Sequence, residues 1–287
     1  TVPKGTTTQV LLRASAPDQG LSEAFMGLGD ALLKKGGRKT QRAVADANAQ
    51  VERLGYSSVG HYFYGININN SAADTLIAVH EAAEKAGVHF GYTLIDSWWY
   101  RESNIPIPNN TGYFPGYSGT WKWDDSIARV PSDVATFPKG LADFTKQTGG
   151  KPLVMHMGKW TGSGDAVGPP PYINVSVYPQ AKDWGWVVEP LASLPVCSTE
   201  AIQNNNTFWD WLFAEMSAVG LGVYKLDHTQ QQMPDMNVTM RNLGITAGWL
   251  KDMADAAHRH GVDKQYGGHI SSAFLHSTLL PNALTAR

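Results

Sequence analysis

The stretch "GVYKLDHTQQQ", residues 222–232, is apolar until it reaches Lys225, Asp227 and His228. At a period of two, Val223, Lys225 and Asp227 share one strand face while Tyr224 and Leu226 point the other way. Unpaired buried charge is costly, so a lysine and an aspartate on one face imply a mutual partner, a ligand, or both. A neighbouring ammonium favours the ionised carboxylate, which suits an aspartate acting as a nucleophile. The ammonium can also donate to the hydroxyls of a sugar. A plain buried ion pair accounts for the same residues without chemistry. Schiff-base chemistry at Lys225 fits less well, because it needs a neutral amine and Asp227 favours the ammonium.

Other apolar runs end in comparable residues. In "GYTLIDSWWY" the alternation puts Tyr92, Leu94 and Asp96 on one face, with Trp98 and Trp99 just after. A carboxylate can accept from two adjacent hydroxyls, and an indole can cover the apolar face of a sugar. The plainer reading is a turn-capping aspartate and core tryptophans. "KPLVMHMGKW" ends on His156 and Trp160, a polar ring and a second stacking platform. "GGHISSAFLHS" supplies His269, Ser271 and Ser272, small or polar groups suited to a ligand floor. His258 and His260 close a helix, where a cation complements the dipole. With Cys197 the only cysteine and no ligand-spaced partner for His269, no metal and no cofactor is expected.

These groups need a scaffold that gathers strand ends. One unit recurs: amphipathic helix, glycine stop, apolar strand, polar terminus. "TQRAVADANAQVERLG" precedes "YSSVGHYFYG", and "SAADTLIAVHEAAEKAG" precedes "VHFGYTLID". "FPKGLADFTKQTGG" leads into "KPLVMHMGKW", and "TFWDWLFAEMSAVG", with Thr207 as the expected N-cap, leads into "LGVYKLD". "TAGWLKDMADAAHRHG" leads into "VDKQYGG", and "NALTAR" is a sixth apolar stretch. Alternation of this kind predicts parallel strands with helical crossovers, in a doubly wound sheet or a (β/α)8 TIM-type barrel. "GLGDALLKKGG" lacks the phosphate-loop spacing and a preceding strand, and a barrel collects its strand ends at one mouth. The barrel is the preferred expectation. With about six βα units countable, it is expected to be incomplete at the C-terminus. The expected division is an N-terminal segment, 1–38, leading into a partial barrel over 39–287. Long irregular mouth loops are expected at 97–136 and 158–200.

Bulk properties narrow the partners. A net charge of −2 gives no electrostatic footprint for nucleic acid or a membrane surface, and no apolar run approaches the roughly 20 residues of a membrane span. Five N-x-[ST] triplets begin at Asn69, Asn109, Asn174, Asn205 and Asn237. They favour a glycoprotein of the secretory pathway, secreted or lumenal.

The segments "YTLIDSWWY", "FPKGLADFTKQTGGKPLVMHMGKW", "GLGVYKLDHTQ" and "GGHISSAFLHS", in this order over about residues 50–287, resemble glycoside hydrolase family 36. The likeness is to its raffinose-synthase and alkaline α-galactosidase branch. The resemblance implies a (β/α)8 barrel acting on α-galactosides or oligosaccharides with net retention. It makes Asp227 the nucleophile and Lys225 and Asp96 holders of substrate hydroxyls. Trp98, Trp99, His156, Trp160, Ser271 and Arg287 complete the expected substrate-binding set. The sequence also departs from that family. Ser97-Trp98 stands where a second carboxylate and Gly-Trp are usual, a fifth-strand cysteine is replaced, and the flanking β-domains of that family are not expected within residues 1–287.

Retention needs two carboxyls about 5–5.5 Å apart. The family's general acid follows the sixth strand, so it is expected beyond Arg287, and residues 1–287 alone are expected to be inactive. The competing expectation is a non-catalytic secreted glycoprotein that keeps the barrel to bind carbohydrate or to assemble with other extracellular proteins.

Overall fold

The computed structural model of the 287-residue chain describes residues 4–5, 10–37, 49–58, 71–96, 101–102, 120–123, 137–158, 160–162, 172–173, 179–190, 199–203, 206–268, 275–280 and 282–286. Its centre is a parallel sheet of six strands: β1 (Gly55–Ser58), β2 (Tyr92–Ile95), β5 (Leu153–Met157), β10 (Leu221–Leu226), β11 (Asp263–Tyr266) and β12 (Ala283–Ala286). Each pairs in parallel with the next in chain order. A doubly wound sheet reverses its strand order at a switch point, and these six strands show no reversal. Winding in one direction is what a barrel wall requires. Closure into a ring is not a feature of the described residues.

Crossover helices supply the apolar backing of this sheet: α3 (Ala72–Lys85), α4 (Leu141–Gln147), α5 (Thr207–Ala218) and α8 (Leu243–Arg259). Leu76, Phe144, Phe208, Trp209, Phe213, Met216, Leu250 and Met253 form one buried cluster with Ile95, Met155, Tyr224, Leu226 and Tyr266 of the strands. Leu94, Val154 and Val223, with Tyr92 against them, form a separate cluster. Past the register shift between Leu221 and Val223, the split follows the two-residue alternation: from Val223 on, odd positions of β10 face one way and even positions the other. It places Tyr224 and Leu226 against the helices, and Val223 and Lys225 on the opposite face.

Helix ends follow local chemistry. The Ser71 hydroxyl accepts the Asp74 N–H at 3.1 Å and caps α3. Gly220 (φ +104°) ends α5 in a left-handed conformation, packed so closely on Thr145 that a Cβ would lie 2.6 Å from its methyl. Thr207, expected as an N-cap, is instead the first helical residue. Asn206 precedes it with backbone already in the right-handed helical region and makes no side-chain cap bond, whereas a capping side chain needs extended backbone. Of the expected helix over 40–55, the described part is Ala49–Glu52 (α2). A helix the repeating pattern did not include, Gly20–Lys35 (α1), buries none of its residues.

The long insertions are not wholly irregular. Arg101–Glu102 (β3), Thr120–Trp123 (β4), Trp160–Gly162 (β6), Tyr172–Ile173 (β7), Trp186–Pro190 (β8) and Thr199–Gln203 (β9) are strands. They make a second sheet in the order β3-β4-β6-β9-β8, with β7 on β4. "TWKW" and "WVVEP" carry the aromatic and β-branched residues that strands favour, set between the Gly- and Pro-rich stretches that suggested loops. Among the described residues no helix is long and apolar enough to cross a membrane.

Candidate active site

The face opposite the helices turns polar at its C-terminal edge. Three neighbouring strands bring Asp96, His156 and Lys225 there, with Asp227 one residue past the end of β10. Register puts His156 of β5 beside Lys225 of β10, and the Asp227 N–H donates to the Met157 carbonyl at 2.9 Å. The backbone therefore carries the parallel ladder one residue beyond the strand and fixes where the Asp227 side chain starts.

Lys225 Nζ lies 3.6 Å from Asp96 Oδ2 and 3.7 Å from Asp227 Oδ2. His156 Nε2 lies 3.4 Å from the same Asp227 oxygen. Lys225 and His156 are buried, whereas Asp227 is about one-sixth exposed at the side chain, at 16%. Burial pushes the Asp227 carboxyl up, but the hydrogen bond and charge of His156, with His228 behind them, outweigh it and hold the group well below the usual carboxylate range.

Asp227 is also held from its own chain. His228 adopts a left-handed conformation (φ 63°, ψ 19°) and is the one described non-glycine residue with positive φ. Its N–H donates to Asp227 Oδ1 at 2.9 Å. Histidine is among the few side chains enriched in this region, and such conformations cluster at functional sites. Gly267 then brings the end of β11 against the carboxylate: a Cβ there would lie 2.9 Å from Asp227 Oδ1. The Gly267 N–H donates to the Leu226 carbonyl at 2.7 Å, which sets the approach. At the next strand end, fully buried Ser58 donates to the Leu94 carbonyl at 2.9 Å and accepts the Asp96 N–H at 3.4 Å.

Asp96, His156, Lys225 and Asp227 thus form one cluster. Trp160 is the first residue of β6, paired with Thr120 and Ala201 in the second sheet. Trp98, Trp99, Ser271 and Arg287, together with His269 and Ser272, lie outside the described residues. Asn237 is exposed at the start of a short helix, Asn237–Arg241 (α7). Asn69, Asn109, Asn174 and Asn205 are outside the described residues. Sequence reasoning noted His228 at the end of the apolar run but gave it no role, and did not single out Gly267 or Ser58. The signals available were a histidine following the strand-end aspartate and the doublet Gly267-Gly268 closing β11. The structure also gathers ligand atoms of His156, Asp227 and His228 within 4.8 Å of one another, a grouping that linear spacing did not reveal.

No protein-family model matches the chain, and no curated protein matches it in sequence. Solved structures similar to it include a GH27 β-L-arabinopyranosidase from Geobacillus stearothermophilus, at 17% identity and a TM-score of 0.44, over 82% of this chain and 53% of that one. A cycloalternan-degrading enzyme from Trueperella pyogenes, solved with cycloalternan, is similar at 10% identity and a TM-score of 0.49, over 91% of this chain and 35% of that one. A xylosidase from Aspergillus niger is similar at 9% identity and a TM-score of 0.41, over 74% and 31%. The chain spans about half the length of the first of these structures and about a third of the other two.

Proposed function

We propose that this chain forms the wall of a (β/α)8 barrel that cleaves or transfers an α-galactoside with net retention. In this reading Asp227 is the nucleophile, and Asp96 and Lys225 grip hydroxyls of the same sugar. The carrying observation is the convergence of these three residues, from β2 and β10, on one face at the C-terminal edge of the parallel sheet. That edge is where barrels of this type place their chemistry. A carboxylate oxygen of Asp227 bonds to the anomeric carbon as the bond to the leaving oxygen breaks. The leaving oxygen takes the electron pair and a proton from a second carboxyl acting as general acid. Water, or a second sugar's hydroxyl, then attacks the same carbon, gives its proton to that carboxylate, and frees Asp227. His156 and the His228 N–H keep the attacking carboxylate ionised and aimed. Trp98, Trp99 and Trp160 supply stacking faces, and Ser271 and Arg287 complete the ligand's polar contacts.

An α-galactosyl fluoride, slowed by a further ring fluorine, tests the nucleophile alone, because fluoride departs without a proton. Mass spectrometry of the digested chain is expected to find the sugar on Asp227 and none on an Asp227→Asn variant. An adduct on another carboxylate, or none on a chain that still binds galactose, overturns the catalytic reading; the latter outcome favours the non-catalytic binding protein. The reading includes secretion as a glycoprotein. A drop in apparent mass on endoglycosidase treatment of material made in a eukaryotic secretory host is expected, and its absence removes that part.

A further inference from the structure

We propose that His156, Asp227 and His228 bind a divalent ion of the zinc class, and that the bound ion takes Asp227 out of use as a nucleophile. The ligation rests on these three side chains alone; only its consequence for turnover rests on the function proposed above.

Two imidazoles and a carboxylate are a donor set for zinc, which in open sites takes three protein ligands and leaves a fourth position for water. Calcium and magnesium instead call for six or more oxygen donors. With metal–ligand bonds of about 2.1 Å, the edge of a tetrahedral site is about 3.4 Å. His156 Nε2 and Asp227 Oδ2 are already 3.4 Å apart. All three donors fall within 4.8 Å, so bringing the His228 ring to the edge of about 3.4 Å closes a gap of at most about 1.4 Å. The two imidazole rings stand at 72° with centroids 5.9 Å apart, an edge-to-face arrangement rather than a parallel stack. His156 is buried at 3% exposure, held on β5, and His228 is fixed by its left-handed backbone and its N–H bond to Asp227. Two of the three ligands thus sit on backbone that is already positioned.

Charge also permits a cation. Lys225 sits against the same cluster, but it lies between two carboxylates, Asp96 and Asp227. With neutral imidazoles the five residues Asp96, His156, Lys225, Asp227 and His228 carry one net negative charge. Asp227 Oδ2 is also the oxygen 3.7 Å from Lys225 Nζ, so the ion would replace that contact and leave Lys225 to Asp96 alone.

The test uses untagged chain with Zn²⁺, and Co²⁺ as a spectroscopic substitute. Calorimetry is expected to show one ion per chain, and Co²⁺ to give the ligand-field absorption of a tetrahedral site. His228→Asn keeps a residue that tolerates the left-handed backbone, and His156→Gln keeps a hydrogen-bonding side chain. Each is expected to weaken binding by at least about 10-fold, while His89→Gln, at an exposed histidine on another face, leaves it unchanged. Urea denaturation of each variant separates loss of a ligand from loss of the fold. No ion bound by the wild-type chain, unchanged affinity in both folded variants, or equal competition by Mg²⁺ overturns the proposal. Saturating Zn²⁺ is expected to block galactosyl trapping at Asp227. Trapping without Zn²⁺ binding overturns this inference and leaves the proposed function. Zn²⁺ binding without trapping does the reverse.

Discussion

Lys264 is the sharpest thermodynamic test of this fold. It lies on β11 on the helix-facing side, in register with Tyr224, and is 0% exposed. Its Nζ sits 4.7 Å above the Tyr266 ring and has no hydrogen-bond partner among the described residues. Burial pushes its pKa well below the ordinary lysine value. The unfolded chain therefore holds a proton that the folded chain releases, so stability rises with pH up to the unfolded lysine value of about 10.4 and falls as pH drops from there. One proton sets the steepest slope at about 1.4 kcal/mol per pH unit, or about 2 °C in Tm per pH unit for a chain of this size. Methionine fills much of the same volume without an amine. Lys264→Met is then expected to stabilise the chain at neutral pH by about 1–3 kcal/mol for the unsatisfied buried amine, plus up to about 1.4 kcal/mol for each pH unit below about 10.4 over which the folded lysine stays neutral. That advantage should shrink as pH climbs from about 7 to 10. Urea unfolding of both proteins across that range measures the difference directly. Among the described residues, Tyr224 pairs with Lys264 across the sheet, the Tyr266 ring lies under its Nζ, and His276 is near enough to respond to its charge. Burial first, and then Lys264 wherever it carries its proton, lowers His276 from 6.5, so its titration falls below the range of about pH 7 to 10 covered by the measurement. Parallel stability profiles for the two proteins, or a less stable methionine variant at neutral pH, would refute the argument.

Three further outcomes follow from the same coordinates. Gly267→Ala puts a methyl 2.9 Å from Asp227 Oδ1 and 3.0 Å from its Cγ, which displaces the carboxylate by a few tenths of an ångström; galactosyl trapping should slow by roughly 10-fold, and an unchanged rate would show that the β11 end does not position Asp227. Phe213, fully buried with Tyr224 edge-on at 5.2 Å and Trp209 stacked at 5.9 Å, should cost about 3–5 kcal/mol on replacement by alanine, read by chemical denaturation. Arg259 makes a two-pronged contact with Asp210, 2.7 Å to each oxygen, but both side chains are exposed; Arg259→Ala should therefore cost less than about 1 kcal/mol in the same assay.

The helix–strand alternation was legible because glycine stops and apolar periodicity are local signals, and each predicted unit reappears in the described residues as a strand of the parallel sheet. The facing of Asp96, Lys225 and Asp227 was legible for the same reason: a two-residue period needs no knowledge of neighbours. What could not be read was which strands adjoin. His156 meets Lys225 only through the β5–β10 register, and Gly267 meets Asp227 only because β11 lies on the other side of β10. The second sheet was missed for a related reason. Its strands of two to five residues are paired across long stretches of chain, and strands that short carry too few residues to show a period.

The two buried lysines show why position, and not residue type, decides between chemistry and structure. Lys225 and Lys264 sit on adjacent strands, one register step apart: Tyr224 pairs with Lys264 and Lys225 with Gln265. That single step places them on opposite faces. Lys225 looks onto the strand-end edge, between two carboxylates that compensate its charge. Lys264 looks into the aromatic layer under the helices, where its Nζ lies over the Tyr266 ring and no carboxylate pairs with it among the described residues. An ammonium is stable in the first setting and costly in the second. The face of a parallel strand thus separates a lysine that can hold a ligand from one that only charges the protein for its burial, and Lys225→Met should weaken galactose binding while Lys264→Met leaves it unchanged.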